Sequence, residues 1–233
     1  MLDSLRKPPH FIQVGAGFTV TRPSGSGTKQ ISSLTGFSGV VPLSIGTVIQ
    51  DKHVVKATLF FEDYFPLFSY EYQPHDDYWV RVFNLNISAT NINISYGRRY
   101  PFTFLQNHFH FTPSLGVLAS VVNEVKYPEG QRIILRQEGT TVSDTLTVTS
   151  VPNREWNKVN LSLAVGVDLE TKFIHPRLAL VWRSSFNLTL TKSATTRINL
   201  SFTDPEKDFS EEFNHRLNNF NTSIGLRYYF QSF

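Results

Sequence analysis

The sequence has no cysteine and few charged residues, and each shortage excludes a class of structure. Without cysteine among its 233 residues, the chain can form neither a disulfide framework nor a thiolate metal site. Charged residues make up only 18%, and the formal net charge is +3. No dense Lys/Arg cluster occurs, so we expect no nucleic-acid partner. No apolar run reaches the roughly 18 residues that a transmembrane helix needs.

Aromatic residues, in contrast, are abundant. Phe occurs 20 times and Tyr 9 times, and aromatics form 14% of the chain. With so few charges, most of the polar surface must come from Ser, Thr and Asn. This balance is unusual for a surface that faces water, but it suits a barrel whose exterior faces lipid and whose interior is polar.

Apolar and polar residues alternate along most of the sequence, which is the pattern of amphipathic β-strands. Residues 159–170 show it most clearly, because odd-numbered positions are Val or Leu and even-numbered ones are polar or small. Several segments reach the roughly 9 to 11 residues that a tilted strand needs to cross a bilayer. The pattern predicts an all-β, antiparallel up-and-down barrel of eight strands, which begin near residues 11, 34, 53, 78, 109, 159, 178 and 220.

The alternation changes phase near Thr90, since Ile87 and Ala89 are apolar at odd positions but Ile92 and Ile94 at even ones. One extra residue in a strand produces such a change, so we expect a β-bulge near Thr90. A two-residue hairpin at Thr90 and Asn91 is the alternative, and it would raise the strand count to ten.

The connections alternate between short and long. Residues 51–52 and 172–176 form short turns, whereas 126–157 and 203–218 form the longest loops, the first with β-prone segments of its own and the second rich in charge. Residues 98–107 are expected to be a connection. Short turns at one end and long loops at the other are typical of transmembrane barrels, in which the long loops are extracellular. We therefore predict a single barrel domain over residues 1–233.

The final segment, FNTSIGLRYYF at residues 220–230, is apolar or nearly so at every second position. It resembles the terminal strand of bacterial outer-membrane β-barrels, which alternates in this way and ends at an aromatic residue. The resemblance implies that the barrel-assembly machinery recognises this strand as an assembly signal. Phe233 departs from the pattern, because it is out of phase with the other apolar positions. Either Phe230 is the effective terminal aromatic or a bulge brings Phe233 back into phase. The predicted assembly-signal residues are Ile224, Leu226, Tyr228, Phe230 and Phe233.

Across essentially its whole length the chain resembles small outer-membrane barrels of the OmpA/OmpW-like, porin-family kind. The resemblance implies a location in the bacterial outer membrane, with outer-membrane lipid as a partner. The first ten residues, MLDSLRKPPH, lack the apolar core of a signal peptide. We therefore expect that a signal peptide was removed or is absent from this sequence.

The charged residues of the polar phase would point into the barrel. An eight-stranded barrel holds only its own side chains, and an isolated buried charge is very costly. We therefore predict a filled lumen with an ion-pair network. For Glu170, and also for Arg177, proximity to a turn favours a solvated position at the rim instead. The predicted network consists of Lys56, Glu62, Asp168, Glu170, Arg183 and Arg227.

Aromatic residues at strand ends are candidates for the girdles that mark the two membrane interfaces. Ordinary packing within a sheet is the alternative, because aromatic residues favour strands in any case. The predicted girdle residues are Trp79, Trp182, Tyr228 and Phe230.

The sequence contains no motif for catalysis. His108 and His110 share one strand face and Ser114 follows them, but no carboxylate stands at a spacing that would complete a triad. The same two histidines lack the further ligands that a metal site needs. We expect no catalytic residues, no metal and no cofactor, and hence no enzyme activity.

The leading hypothesis is a barrel that acts through its extracellular loops in a structural, adhesion or partner-binding role, with a protein as the possible partner. An outer-membrane enzyme that modifies lipid is the second hypothesis. A soluble β-sandwich or a lipocalin-like binding protein, whose apolar face points inward, is the third.

Overall fold

The computed structural model is all-β and contains sixteen strands in the part of the chain that it describes. No helix in that part is both long and apolar enough to cross a membrane. The described residues are 9–24, 31–34, 36–64, 67–71, 79–84, 86–126, 131–136, 143–152, 157–172, 175–191, 194–201 and 209–231.

The strands are numbered in chain order. Their bounds are β1 (Pro9–Ser24), β2 (Ile31–Leu34), β3 (Gly36–Val40), β4 (Leu43–Ile49), β5 (His53–Tyr64), β6 (Leu67–Glu71), β7 (Trp79–Asn84), β8 (Asn86–Arg98), β9 (Tyr100–Phe104), β10 (Asn107–Lys126), β11 (Gln131–Arg136), β12 (Ser143–Pro152), β13 (Val159–Lys172), β14 (Leu178–Thr189), β15 (Ala194–Ser201) and β16 (Phe209–Gln231).

Within the described residues, eight antiparallel wall segments, which we call staves, close into a barrel. β3 and β4 form one stave, because both pair with β1 in a single register. The ring closes where β16 pairs with β1, from Pro9 opposite Gln231 to Ser24 opposite Arg216. The predicted eight-stranded up-and-down barrel is thus confirmed. Around the ring the staves follow the order β1, β3 with β4, β5, β8, β10, β13, β14 and β16.

The predicted β-bulge near Thr90 is wrong. β8 pairs with β5 without a register shift, and the bulge lies in β10 between Val122 and Glu124. Ile87 and Ala89 point into the barrel, with 1% and 2% of their surface exposed. The phase change in the sequence therefore marks two apolar residues on the inner face, and it requires neither an extra residue nor a hairpin.

One end of the barrel carries short turns, and we call it the turn end. Between β4 and β5 the turn closes with a bond from Lys52 N to Ile49 O of 3.1 Å. Gln50 and Asp51 have φ of 52° and 55°, the positive values that both central residues of a type I′ turn adopt, and Ile49 pairs with His53 across a three-residue loop. β9 and β10 form a similar hairpin around Leu105 and Gln106, so residues 98–107 are mostly strand and not the predicted connection.

The opposite end, the loop end, continues as extra sheet. β11, β12 and β15 join the first part of β16 and prolong the barrel wall, and β2, β6 and β7 form a separate three-stranded sheet. The pairing of β11 with β12 is the hairpin expected within 126–157. Residues 209–218, predicted as part of a charged loop, are strand instead, because they pair with β15 and continue β16.

The apolar residues cover the outside of the barrel and the polar ones fill the inside. Ile45, Ile94 and Ile224 are each about 60% exposed, whereas Asn91, Ser44 and Gln13 are buried. From Phe220 to Phe230 β16 advances about 33 Å at roughly 3.3 Å per residue. With a strand tilt of about 40°, this gives a height of about 25 Å, which is the apolar band of outer-membrane barrels. The soluble alternatives required the apolar face to point inward, so they are wrong.

Candidate functional site: the lumen cluster

Charged and polar side chains from five staves, together with Arg99 between β8 and β9, meet inside the barrel near the turn end. The strand residues face inward because each occupies the polar phase of its strand, on the face opposite the apolar exterior. All of them are buried. This group, which we call the lumen cluster, consists of Gln13, Lys56, Arg99, Asp168, Glu170, Arg183, Arg227 and Tyr229.

Arg227 on β16 lies at the centre of the lumen cluster and is 1% exposed. Its Nη1 donates to Glu170 Oε2 at 2.6 Å, and its Nη2 donates to Asp168 Oδ2 at 2.7 Å. Gln13 Oε1 accepts from Nε at 3.0 Å and from Nη2 at 2.7 Å. The guanidinium also lies 4.3 Å from the centroid of the Phe11 ring, within the range of a cation–π interaction.

Asp168 connects Arg227 to the other side of the barrel. Lys56 Nζ on β5 lies 2.6 Å from Asp168 Oδ2 on β13. These two staves are not neighbours, since β8 and β10 separate them on one side of the ring, and the ion pair therefore crosses the lumen. Arg183 adds a longer contact of 4.0 Å from Nε to Asp168 Oδ1, and its Nη1 donates to Thr58 at 2.8 Å.

Glu170 is held by a second set of donors. Arg99 Nη2 lies 2.6 Å from its Oε1, and the Tyr229 hydroxyl lies 2.7 Å from both carboxylate oxygens. Together with Arg227, these groups surround a carboxylate of which 1% is exposed. Charge-assisted bonds of this length are the strong ones in proteins, and they compensate for the removal of the carboxylate from water.

Apolar side chains pack against the lumen cluster at the turn end. Phe11 and Tyr229 meet edge to face with ring centroids 5.8 Å apart. Val48, Val54 and Ala179 belong to the same buried group. The charged residues and these apolar side chains together fill the turn-end half of the lumen.

The loop-end half of the lumen is different, because uncharged amides and hydroxyls fill most of it. Asn187 Nδ2 donates to Asn219 Oδ1 at 2.5 Å, and Ser162 and Thr189 hydroxyls lie 3.1 Å apart. A small cavity, partly open to solvent, lies beside Arg183 and is lined by Pro42, Phe60, Asn221 and other residues. The loop-end half thus contains a partly open cavity, whereas charged and apolar side chains fill the turn-end half.

Five of the six residues predicted for the ion-pair network lie together in the lumen cluster: Lys56, Asp168, Glu170, Arg183 and Arg227. Glu62 lies apart, nearer the loop end, where Asn91 donates to it at 3.3 Å. Glu170 is buried and not at the rim as the alternative placed it, whereas Arg177 is exposed.

The sequence analysis missed Gln13, Arg99 and Tyr229. Gln13 and Tyr229 both occupy the polar phase of their strands, so the alternation contained the signal for them. Arg99 lies in the segment predicted as a connection. The pairing of Arg98 with His53 and of Tyr100 with Phe111 places Arg99 on the inner face instead.

Of the predicted girdle and assembly-signal residues, Trp182, Tyr228 and Phe230 point outward and are 44%, 47% and 38% exposed. Ile224 and Leu226 share this outer face. Trp79 begins β7, which belongs to the separate sheet at the loop end and not to the barrel wall. Phe233 lies outside the described residues.

The two histidines considered for catalysis have separate surroundings. His108 is exposed, with its Nδ1 3.2 Å from Thr103 Oγ1. His110 lies opposite Glu170 in the ladder between β10 and β13, and Ser114 lies opposite Gly166 further along it. Among the described residues, no group of three or more His, Asp or Glu side chains is placed to bind a metal ion.

Comparisons with known proteins identify the fold. No protein-family model matches the chain, and no curated protein matches it in sequence. The outer membrane protein OprG from Pseudomonas aeruginosa aligns in structure with a TM-score of 0.54 at 9% identity, over 97% of this chain and 98% of that one. Neisserial surface protein A gives 0.44 at 12%, over 95% and 97%. The outer membrane protease OmpT from Escherichia coli gives 0.45 at 12%, over 97% and 98%.

The fold assignment rests on the similarity to OprG and on the closed ring of staves. Both agree with an apolar exterior and a polar interior. The chain has the fold of a small outer-membrane β-barrel.

Proposed function

We propose that the protein is an integral protein of the bacterial outer membrane whose barrel is a non-conducting anchor. The observation that carries the proposal is the lumen cluster. Its ion pairs cross the lumen between β5 and β13 and between β16 and β13, and every charged member is buried. A continuous water path through the turn-end half would have to break these bonds.

The same proposal assigns the biological activity to the loop end. There β11, β12, β15 and the first part of β16 prolong the barrel wall as a sheet. Strands that continue beyond a barrel rim offer backbone groups and side chains to a protein partner. The barrel therefore serves to hold this sheet at the outer surface for structural, adhesion or partner-binding contacts. The barrel-assembly machinery and outer-membrane lipid are the further partners that such an anchor requires.

Electrical recording across a planar lipid bilayer tests the anchor directly. We expect the inserted wild-type protein to give no stable single-channel openings. A double variant, Phe11→Ala with Arg227→Ala, removes two of the largest fully buried side chains from the turn-end half of the lumen. This variant should give measurable openings once its folding is verified by heat-modifiable migration on a gel.

The contrary result would be reproducible openings of the wild-type protein that persist after removal of contaminating porins. In that case the lumen cluster would be mobile under working conditions, and a channel function would replace the anchor.

A further inference from the structure

On the outer surface of the barrel, an arginine lies between two tyrosines at the turn end. Arg98 is exposed and shares the outward phase of β8 with Tyr96, which is 52% exposed, and Tyr100 at the start of β9 is 45% exposed. Its guanidinium carbon lies 5.4 Å from the centroid of the Tyr100 ring. An arginine on a lipid-facing surface is costly at the middle of a bilayer but nearly neutral at an interface.

The neighbouring strand supplies further donors. His53 lies directly opposite Arg98 in the ladder between β5 and β8. Its Nδ1 is 2.6 Å from the Tyr96 hydroxyl, and the two rings stack with centroids 5.8 Å apart. Lys52 is exposed one residue before His53, and its carbonyl accepts a bond from Arg99 N at 2.7 Å.

The charge balance at this end is positive. Among the described residues near the turns, the exposed cations are Lys52, Arg98, Lys172 and Arg177, and the exposed carboxylate is Asp51. None of the ion pairs within the described part of the chain involves Arg98 or Lys52. These two cations are therefore available to an external anion.

Apolar residues continue beyond Arg98 on the outer face. Phe102 and Phe104 of β9 are 42% and 60% exposed, and Leu105 at the hairpin tip is 78% exposed. Phe102 stacks on Phe109 with ring centroids 5.4 Å apart. Arg98 thus lies between this β9–β10 hairpin and the apolar exterior of the barrel above Tyr96, and a cation at the edge of that exterior matches a ligand with a charged head group and apolar chains.

We propose that Arg98, Lys52, His53 and Tyr96 bind the phosphate of an anionic phospholipid in the membrane leaflet at the turn end. The phosphate oxygens accept from the guanidinium and the ammonium group, and the acyl chains lie along the apolar exterior above Tyr96. The site rests on the membrane location given under Proposed function. The membrane location alone does not specify a lipid class, and the site adds a preference for anionic phospholipids.

Lipid titration of the purified barrel by native mass spectrometry tests this site. We expect phosphatidylglycerol to bind more tightly than phosphatidylcholine. Arg98→Gln should weaken phosphatidylglycerol binding about fivefold, as loss of one cation at an anionic surface predicts, and should leave phosphatidylcholine binding unchanged. Lys158→Gln, which removes an exposed cation near the loop end, is the matched control and should have no effect.

Three results would overturn the proposal: equal binding of the two lipids, equal binding by wild type and Arg98→Gln, or an equal loss in Lys158→Gln. Displacement of the lipid by inorganic phosphate would also overturn it, because it would assign a site for free anions. Each variant is first reconstituted into phosphatidylcholine vesicles. Failure to insert there contradicts the proposed function, whereas insertion without lipid preference contradicts the lipid site alone.

Discussion

The two halves of the lumen are built from different chemistry, although the same staves line both. In the turn-end half, Arg227 contacts two carboxylates, an amide and an aromatic ring. In the loop-end half, pairs such as Asn187 with Asn219 join neighbouring strands only. The turn-end half connects non-adjacent staves across the lumen, whereas the hydrogen bonds of the loop-end half follow the local ladder.

This difference determines how each half tolerates change. A buried charge that loses its partner keeps the full cost of its removal from water. An amide that loses its partner has a smaller cost, and near the open cavity water can replace the partner. The turn-end half should therefore behave as one cooperative unit, and the loop-end half as a set of independent pairs.

The largest effect is expected for Arg227→Met, which keeps the side-chain volume and removes the charge. Asp168 and Glu170 then lose a shared partner inside the barrel. We expect the free energy of unfolding to fall by about 3 to 5 kcal/mol, measured by urea titration in lipid vesicles with tryptophan fluorescence. Arg177→Met is the control, because Arg177 is exposed, and it should change stability by about 0.5 kcal/mol or less. Similar midpoints for the two variants would refute a cooperative charged half.

A medium effect is expected where β1 and β16 approach closely. A Cβ added at Gly17 would collide with the carbonyl oxygen of Thr222 and lie 2.6 Å from Ser223 Cα. Gly17→Ala should therefore destabilise the barrel by about 1 to 3 kcal/mol.

The same substitution has a matched control in the neighbouring strand, since a Cβ at Gly39 meets nothing within 4 Å. Gly39→Ala should leave the urea midpoint nearly unchanged. If Gly39→Ala destabilises the barrel as much as Gly17→Ala, close approach of the strands is not the cause.

The smallest effect is expected at an uncharged pair of the loop-end half. Asn187→Ala removes the 2.5 Å hydrogen bond to Asn219 and should lower the free energy of unfolding by about 1 kcal/mol, measured in the same titration. Combined with Arg227→Met, its cost should add, because the two sites share no partner. A loss as large as that of Arg227→Met, or strong coupling between the two, would mean that the halves are not independent.

The sequence predicted the barrel well where alternation is strict. In β13 the even positions from Asn160 to Glu170 were expected inside, and the structure buries Asn160, Ser162, Asp168 and Glu170. The prediction failed at Ile87 and Ala89, because alternation identifies a face by its polarity, and these apolar residues lie on the inner face.

The lumen cluster was predictable in part, because alternation also assigns polar residues to the inner face. Lys56, Asp168 and Arg227 could be assigned to the interior from their phase alone. Which staves lie across the lumen from one another depends on strand order and register, and neither is local in sequence. Arg99 was missed because its inward direction follows from its place between Arg98 and Tyr100, whose partners lie on β5 and β10.

The sequence by itself determined that the chain forms amphipathic strands with an apolar and a polar face, because the two-residue period of a strand is a property of the backbone. It also determined that charged groups face a lumen too narrow to leave them unpaired. Only the tertiary structure decided which charges pair, since β16 pairs with β1 on one side and with β14, next to β13, on the other. This order brings Arg227 to Gln13 and to the carboxylates of β13. It also decided that Arg98 and His53 lie side by side on the exterior, because that contact depends on the register between β5 and β8.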